Sequence, residues 1–150
     1  MKQITGTITI GMQSSGDDDR TDKHVIDLRQ QLATHCKGPY SEDIAEFALV
    51  LRIGGNMQEF DFEDCERIRR NRRRKYITVD LGFPSRRWRG VSDDEIRKYL
   101  VEIVETGLLC CLNRLQKDKT QVESSKLMSD FASVKHHYLN PPKRLTGHIL

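Results

Sequence analysis

The sequence predicts a single α+β domain, in which three helices pack on one face of a mostly antiparallel, four-stranded sheet to form a two-layer sandwich. Short segments in which apolar and polar residues alternate, a pattern typical of strands, occur near the N-terminus and again between residues 47 and 81. Apolar residues recur at intervals of three and four in three longer segments, as in amphipathic helices. The length of 150 residues is close to the commonest size of one domain, so we expect one core.

The N-terminal part of the chain is predicted to form a strand, an acidic loop and a helix. Isoleucines alternate with threonines over residues 4–12, which predicts an edge or second-layer strand with one buried face. Serine, glycine and aspartate then predict a mobile loop at about residues 13–22, which lacks the glycine and glutamate positions of an EF-hand calcium loop. Apolar residues recur at helical spacing over residues 24–37, which predicts a helix with Asp22 as its N-cap.

The middle of the chain is predicted to form three strands in an antiparallel meander. Residues 47–53 are apolar on nearly both faces, which predicts a central strand that ends at the turn Gly54-Gly55-Asn56. Residues 57–63 alternate as expected for the second arm of a hairpin, and residues 76–81 repeat the pattern.

Two further amphipathic helices are predicted in the C-terminal part. Ser92 and Glu95 have the spacing of a capping box, in which each side chain accepts a hydrogen bond from the backbone N–H of the other residue. Helical periodicity continues from there for about twenty residues. The last helix is predicted to begin at Thr120 or Ser124, and residues 141–150 are expected to form a loose tail.

Basic charge is concentrated in residues 67–90, which contain ten cations and one anion, whereas the whole chain carries a formal net charge of +3. The run at residues 67–75 is typical of a nucleic-acid patch, because clustered arginines neutralise phosphates. The run nevertheless lacks interleaved aromatic residues for base stacking. Acidic residues precede it at Glu59, Asp61, Glu63, Asp64 and Glu66. We therefore favour a solvated or charge-paired run, with nucleic-acid binding as the alternative.

Trp88 lies in the polar turn that follows the last predicted strand. Tryptophan and arginine dominate binding hot spots, because each combines a large contact area with a directed hydrogen-bond donor. In the alternative interpretation the indole ring caps the apolar end of the long helix, with arginines stacked on its face. The candidate partner-binding residues are Trp88, Arg86, Arg87 and Arg89 in the turn, Asp17, Asp18 and Asp19 in the acidic loop, and Glu59 and Asp61 on the predicted hairpin.

No motif in the sequence predicts catalysis, a cofactor or a metal site. The sequence lacks a P-loop, a dinucleotide-binding glycine fingerprint, a nucleophile elbow and a zinc-protease motif. The adjacent His136 and His137 point about 100° apart on a helix, so they cannot easily chelate one ion. The cysteines show no C-x-x-C spacing, so buried, reduced thiols are expected. No apolar run is long enough to span a membrane, and we expect a cytoplasmic protein.

Four features occur together: the R-I-G-G turn at residues 52–55, the strand YITVDLGFP, the tryptophan turn and capped helix in GFPSRRWRGVSDDEIRKYL, and the last amphipathic helix. In these features residues 47–139 resemble the immunity proteins that accompany bacterial polymorphic toxins and contact-dependent growth inhibition toxins. The resemblance implies an intracellular, non-enzymatic protein that binds one toxin domain. Immunity proteins of nuclease toxins are typically acidic, so the basic stretch departs from that pattern.

The leading hypothesis is therefore an inhibitor that blocks the active site of a cognate toxin, or the path of its substrate, by steric and electrostatic occlusion. The first alternative is a small RNA-binding or RNA-associated protein that uses residues 67–75. The second alternative is an enzyme whose site is assembled from dispersed residues.

Overall fold

A computed structural model gives the structure of the chain and describes residues 7–14, 19–54, 68–84 and 90–141. These residues form four strands and three helices. The elements are β1 (Thr7–Ser14), α1 (Asp19–His35), β2 (Glu46–Gly54), β3 (Ile68–Asn71), β4 (Tyr76–Pro84), α2 (Asp93–Lys117) and α3 (Ser124–Leu139). In this part of the chain no helix is long and apolar enough to cross a membrane.

The sheet is mixed, and the prediction of a mostly antiparallel meander is wrong. The strand order is β1-β2-β4-β3, in which β1 pairs with β2 and β2 with β4 in parallel, and only β3 and β4 are antiparallel. Helix α1 lies between β1 and β2 in the chain, and a helical crossover returns the second strand parallel to the first. The central position predicted for β2 is confirmed.

One face of the sheet carries the core. The register aligns Ile10, Leu49, Val79 and Ile68 across the strands, and all four side chains are buried. The opposite face carries the alternate residues, most of which are half-buried or exposed, such as Thr78. This alternation was predicted from the sequence for β4, where Ile77, Val79 and Leu81 are all buried.

Helices α1 and α2 cover the buried face, and α3 packs chiefly on these two helices. Helix α2 comes so close to the sheet at Gly107 that an added Cβ would lie 3.1 Å from Leu81 Cδ2 and 3.4 Å from Leu49 Cδ2. Glycine at this position therefore brings the helix axis onto the two central strands.

Several predicted boundaries differ from the structure. Helix α1 begins at Asp19, so the predicted acidic loop at 13–22 is shorter at both ends, and Asp22 lies inside the helix instead of capping it. Aspartates are favourable there because the N-terminus of a helix is the positive end of its dipole. The predicted strand at 57–63 and most of the predicted tail at 141–150 lie outside the described residues.

Candidate partner-binding surface

Three strands end together at one end of the sheet, which we call the carboxyl end. The parallel register pairs Ser14 with Ile53 and Gly54 with Pro84, so β1, β2 and β4 finish side by side. The chain leaves these strands into the segments that hold the predicted partner-binding residues. The structure thus brings together the starting points of three segments that are far apart in the sequence.

The partner-binding residues themselves fall mostly outside the described ranges. Asp19 is the first residue of α1. The other predicted positions, which are Asp17, Asp18, Glu59, Asp61, Arg86, Arg87, Trp88 and Arg89, lie in segments 15–18, 55–67 and 85–89. Their assignment to a binding surface therefore stays a prediction.

Arg97 joins all three helices at the carboxyl end. Its Nε and Nη2 donate to the carbonyl oxygen of Tyr138, at 3.1 and 2.7 Å, near the C-terminus of α3. Its Nη1 donates to Asp27 Oδ2 in α1 at 3.2 Å. The guanidinium carbon lies 3.9 Å from the centre of the Tyr138 ring, within the range of a cation–π contact. With a side chain only 11% exposed, Arg97 is a buried cation whose donors are used by the neighbouring helices.

His24 extends this network from α1 to the start of α2. Its Nδ1 lies 3.3 Å from Arg97 Nη1, and its Nε2 lies 3.1 Å from Asp93 Oδ1. A guanidinium can only donate, so Nδ1 accepts and the proton sits on Nε2, which donates to Asp93. The backbone carbonyl of His24 accepts a 2.9 Å hydrogen bond from the buried Tyr138 hydroxyl.

This helix-joining network of His24, Asp27, Asp93, Arg97 and Tyr138 was not predicted from the sequence. Burial raises the pKa of the Tyr138 hydroxyl well above its usual value, so the group remains a hydrogen-bond donor at neutral pH. The network fixes the N-termini of α1 and α2 and the C-terminus of α3 beside the carboxyl end of the sheet. The three helices are thereby joined by hydrogen bonds at this end of the fold.

The N-terminus of α2 adds fixed negative charge at the same end. Ser92 Oγ accepts from the backbone N–H of Glu95 at 3.3 Å, which is the first half of the predicted capping box. Asp93, Asp94 and Glu95 occupy the first turn and are exposed. They are favourable to the helix dipole, and Asp93 also accepts the hydrogen bond from His24.

The predicted basic run is divided by the structure into three environments. Arg70, on the covered face of the sheet, donates to Asp118 Oδ2 at 3.0 Å, and its side chain is 8% exposed. The hydrogen bond from Arg70 holds the pKa of the Asp118 carboxyl below its usual value. Arg69, on the open face, lies 3.7 Å from Asp80, and Arg52 lies 3.7 Å from the same carboxylate. The residues from Arg72 to Lys75 form the turn between β3 and β4.

An open groove of about 1160 Å³ lies between α2, the start of α3 and the loops before β2 and after α2. Beside it Tyr40 donates a 2.6 Å hydrogen bond to Asp130 Oδ2. Burial raises the pKa of the Cys36 thiol to about 11, which keeps it protonated and unreactive. The predicted burial of the cysteines is confirmed for Cys36, Cys110 and Cys111, and Cys65 lies outside the described residues.

The histidines of α3 meet the end of α1. The His35 and His137 rings stack with their centres 4.3 Å apart, and His137 Nδ1 donates to the carbonyl of Ser133 at 2.8 Å. Within the described ranges, no group of three or more His, Cys, Asp or Glu residues is placed to hold a metal ion.

Comparison with known proteins gives one family. No curated protein and no solved structure matches the chain significantly. The family described as Immunity protein 44 matches residues 6–133, a range that includes all four strands, α1, α2 and most of α3. The chain therefore belongs to the Immunity protein 44 family.

Proposed function

We propose that this protein binds a cognate bacterial toxin domain and neutralises it by occluding the active site or the path of the substrate. The observation that carries the proposal is the family match over residues 6–133. We further propose that the toxin belongs to a polymorphic or contact-dependent growth inhibition system, and that the protein acts in the cytoplasm of the cell that makes the toxin.

The geometry that supports this function is the convergence of strand ends at the carboxyl end. The ends of β1, β2 and β4 lie side by side at Ser14, Gly54 and Pro84, and Arg97 joins the three helices at the same end of the sheet. Trp88 and its neighbouring arginines would supply the anchor, and the aspartates from Asp17 to Asp19 would supply charge.

The chemistry of the described residues supports inhibition by occlusion over catalysis. The groups with raised pKa values, Cys36, Tyr40 and Tyr138, are buried, and Tyr40 and Tyr138 donate hydrogen bonds within the fold. Each is thereby kept in its protonated form, which is the inactive form of a nucleophile. We therefore propose a non-enzymatic protein that contributes only a surface.

The partner face opposite the start of α2 would be basic. Asp94 and Glu95 are exposed at that helix end, beside Asp93 with its His24 partner, and the positive end of the dipole does not cancel their full charges. Complementary charge speeds association and excludes partners of the wrong sign. A cationic toxin surface would fit these carboxylates, whereas an acidic toxin surface would fit Arg86, Arg87 and Arg89.

The experiment that tests the proposal is neutralisation of the toxin encoded immediately upstream. The toxin domain is expressed with the wild-type protein, with W88A, or with the triple variant D17N/D18N/D19N, and cell survival and co-purification are measured. We expect both variants to weaken binding. The matched control is E42Q/D43N/E123Q, which removes the same charge from exposed residues around the groove.

The outcomes distinguish whether the protein neutralises the toxin from which residues form the interface. Survival with wild type and with the control triple, but not with W88A or the aspartate triple, supports the toxin-binding role and its location. Full neutralisation by W88A and the aspartate triple would place the interface elsewhere. Failure of the wild-type protein to bind or neutralise the upstream toxin would refute the proposed function itself.

A further inference from the structure

The turn between β3 and β4 presents three consecutive arginines to solvent. Arg72, Arg73 and Arg74 are all exposed, and Tyr76, the first residue of β4, is 38% exposed beside them. The turn lies at the opposite end of the sheet from the strand ends described above, because β4 begins there. We call this end the amino end.

The backbone of the turn is held firmly. Asn71 Oδ1 accepts from the backbone N–H of Arg74 at 3.0 Å, and Lys75 takes a left-handed conformation with φ of 59°. The carbonyl of Lys75 accepts from the backbone N–H of Ala45 at 2.7 Å, which fixes the turn to the start of β2. Lys75 Nζ donates to the carbonyl of Glu42 at 3.3 Å. The arginines are therefore displayed from a fixed backbone.

The ion pairs within the described residues do not include Arg72, Arg73 or Arg74. The two cations of β3 are paired, Arg69 with Asp80 and Arg70 with Asp118. Within the described ranges no acidic side chain forms an ion pair with Arg72, Arg73 or Arg74. Like charges on consecutive residues repel one another, so a bound anion would relieve that repulsion.

We propose that the arginine turn, Arg72 to Arg74 with Tyr76, is a docking site for an acidic segment of a protein partner. This second surface lies at the amino end and goes beyond the proposed toxin-binding surface at the carboxyl end. Arginine and tyrosine are, with tryptophan, the side chains most enriched at protein-binding hot spots, and guanidinium groups bind carboxylates through paired hydrogen bonds.

The surroundings of the turn favour protein carboxylates over a nucleic-acid backbone. The exposed Glu42 and Asp43 and the half-buried Glu46 lie near the same end of the sheet. A phosphate chain that extended beyond the turn in their direction would meet these carboxylates, whereas a short acidic segment can be confined to the turn. Tyr76 alone also provides no row of stacking platforms for successive bases.

The test uses two probes of equal length, a fluorescein-labelled ten-residue oligoglutamate peptide and a labelled ten-nucleotide oligouridylate. Binding to the full chain is measured by fluorescence anisotropy at low and at moderate ionic strength. We expect the peptide to bind, and R72Q/R73Q/R74Q to weaken that binding about tenfold, because three exposed ion pairs are lost. The control K23Q/K98Q/K126Q removes the same charge from exposed helix positions and should change the affinity by less than about twofold.

Both triple variants change only exposed side chains, so thermal unfolding should match that of the wild type and exclude misfolding as a cause. Absence of peptide binding to the wild type, or an equal loss in the two triple variants, would overturn the proposal. Tighter, arginine-dependent binding of the oligouridylate would also overturn it, and would assign the turn to nucleic acid. No toxin enters this experiment, so its result is independent of the proposed function.

Discussion

Replacing Arg97 with methionine tests whether the helix-joining network holds the carboxyl end together. Methionine keeps an apolar stem against the Tyr138 ring but removes every donor of the guanidinium. The carbonyl of Tyr138 then loses both of its side-chain donors, at 3.1 and 2.7 Å, and Asp27 loses its 3.2 Å partner. His24 Nδ1 loses its donor in the same step.

The expected loss of unfolding free energy in R97M depends on how far the partners of Arg97 are buried. A hydrogen bond to a charged group contributes about 1.5–3 kcal/mol. The Asp27 side chain is 40% exposed and can be hydrated again, so its part of the loss is smaller than that of the carbonyl. We expect R97M to lower the free energy of unfolding by about 2–4 kcal/mol. For a chain of this size that corresponds to a Tm lower by roughly 5–15 °C.

The assay is urea unfolding followed by circular dichroism, with Tm measured in parallel. K98M in the next residue position is the matched control, because Lys98 is exposed on the same helix and should change stability by no more than about 0.5 kcal/mol. R97K, which keeps the charge but not the planar fork, should fall between wild type and R97M. A loss below about 1 kcal/mol for R97M would refute the idea that this residue holds the three helices together.

Three further predictions concern single contacts. S92A removes the acceptor for the Glu95 backbone N–H and should lower the free energy of unfolding by about 1 kcal/mol, measured by urea unfolding. Because the Asp118 pKa is lowered in the folded state, its contribution is present at neutral pH and is lost as the pH falls below the usual carboxyl pKa of about 4. The stability difference between wild type and D118N should therefore shrink on acidification. In a C65S background, the raised pKa and burial of Cys36 predict slow labelling by a thiol reagent at pH 8 until the protein unfolds.

Controls for these measurements come from exposed residues of α2 and α3. S133A should leave stability within about 0.5 kcal/mol of wild type, and an equal effect in S92A would contradict the capping role. For E102Q the free energy of unfolding should depend on pH in parallel with that of wild type. If D118N also ran parallel to wild type, the result would argue against the ion pair between Asp118 and Arg70. Rapid labelling of the folded C65S protein would show that a described thiol is accessible.

The elements that could be predicted from the sequence are those whose signal is local. Burial of one face of β4 follows from alternation alone, and Ile77, Val79 and Leu81 are buried as that pattern indicates. The start of α2 is marked by Ser92, whose side chain makes the capping hydrogen bond. The start of α3 at Ser124, one of the two predicted positions, is also confirmed.

The pairing of the strands could not be predicted from the sequence in this way, because it depends on contacts between distant segments. Strand β3 is four residues long and carries Arg70 where a buried apolar residue is expected, so alternation gave no signal. A cue was nevertheless present in α1: a helix between two strands favours a parallel crossover, and this consideration outweighs a meander for β1 and β2.

The helix-joining network could not be predicted from the sequence for a related reason. His24 and Tyr138 are 114 positions apart, and each lies on an amphipathic helix among other polar residues. No motif marks an arginine that will point inward, since burial of Arg97 depends on three helix ends meeting at one place. Such long-range contacts can be found only once the helices are assembled.

The side-by-side ends of β1, β2 and β4, from which three segments of the chain begin, have an evolutionary consequence. Register in this sheet is set by the buried alternation of β1, β2 and β4, and a one-residue slip would turn every core side chain outward. Changes in segments 15–18, 55–67 and 85–89 leave that alternation intact. If these segments carry the partner-binding residues, as proposed above, substitutions in them would change the partner without disturbing the alternation that sets the register.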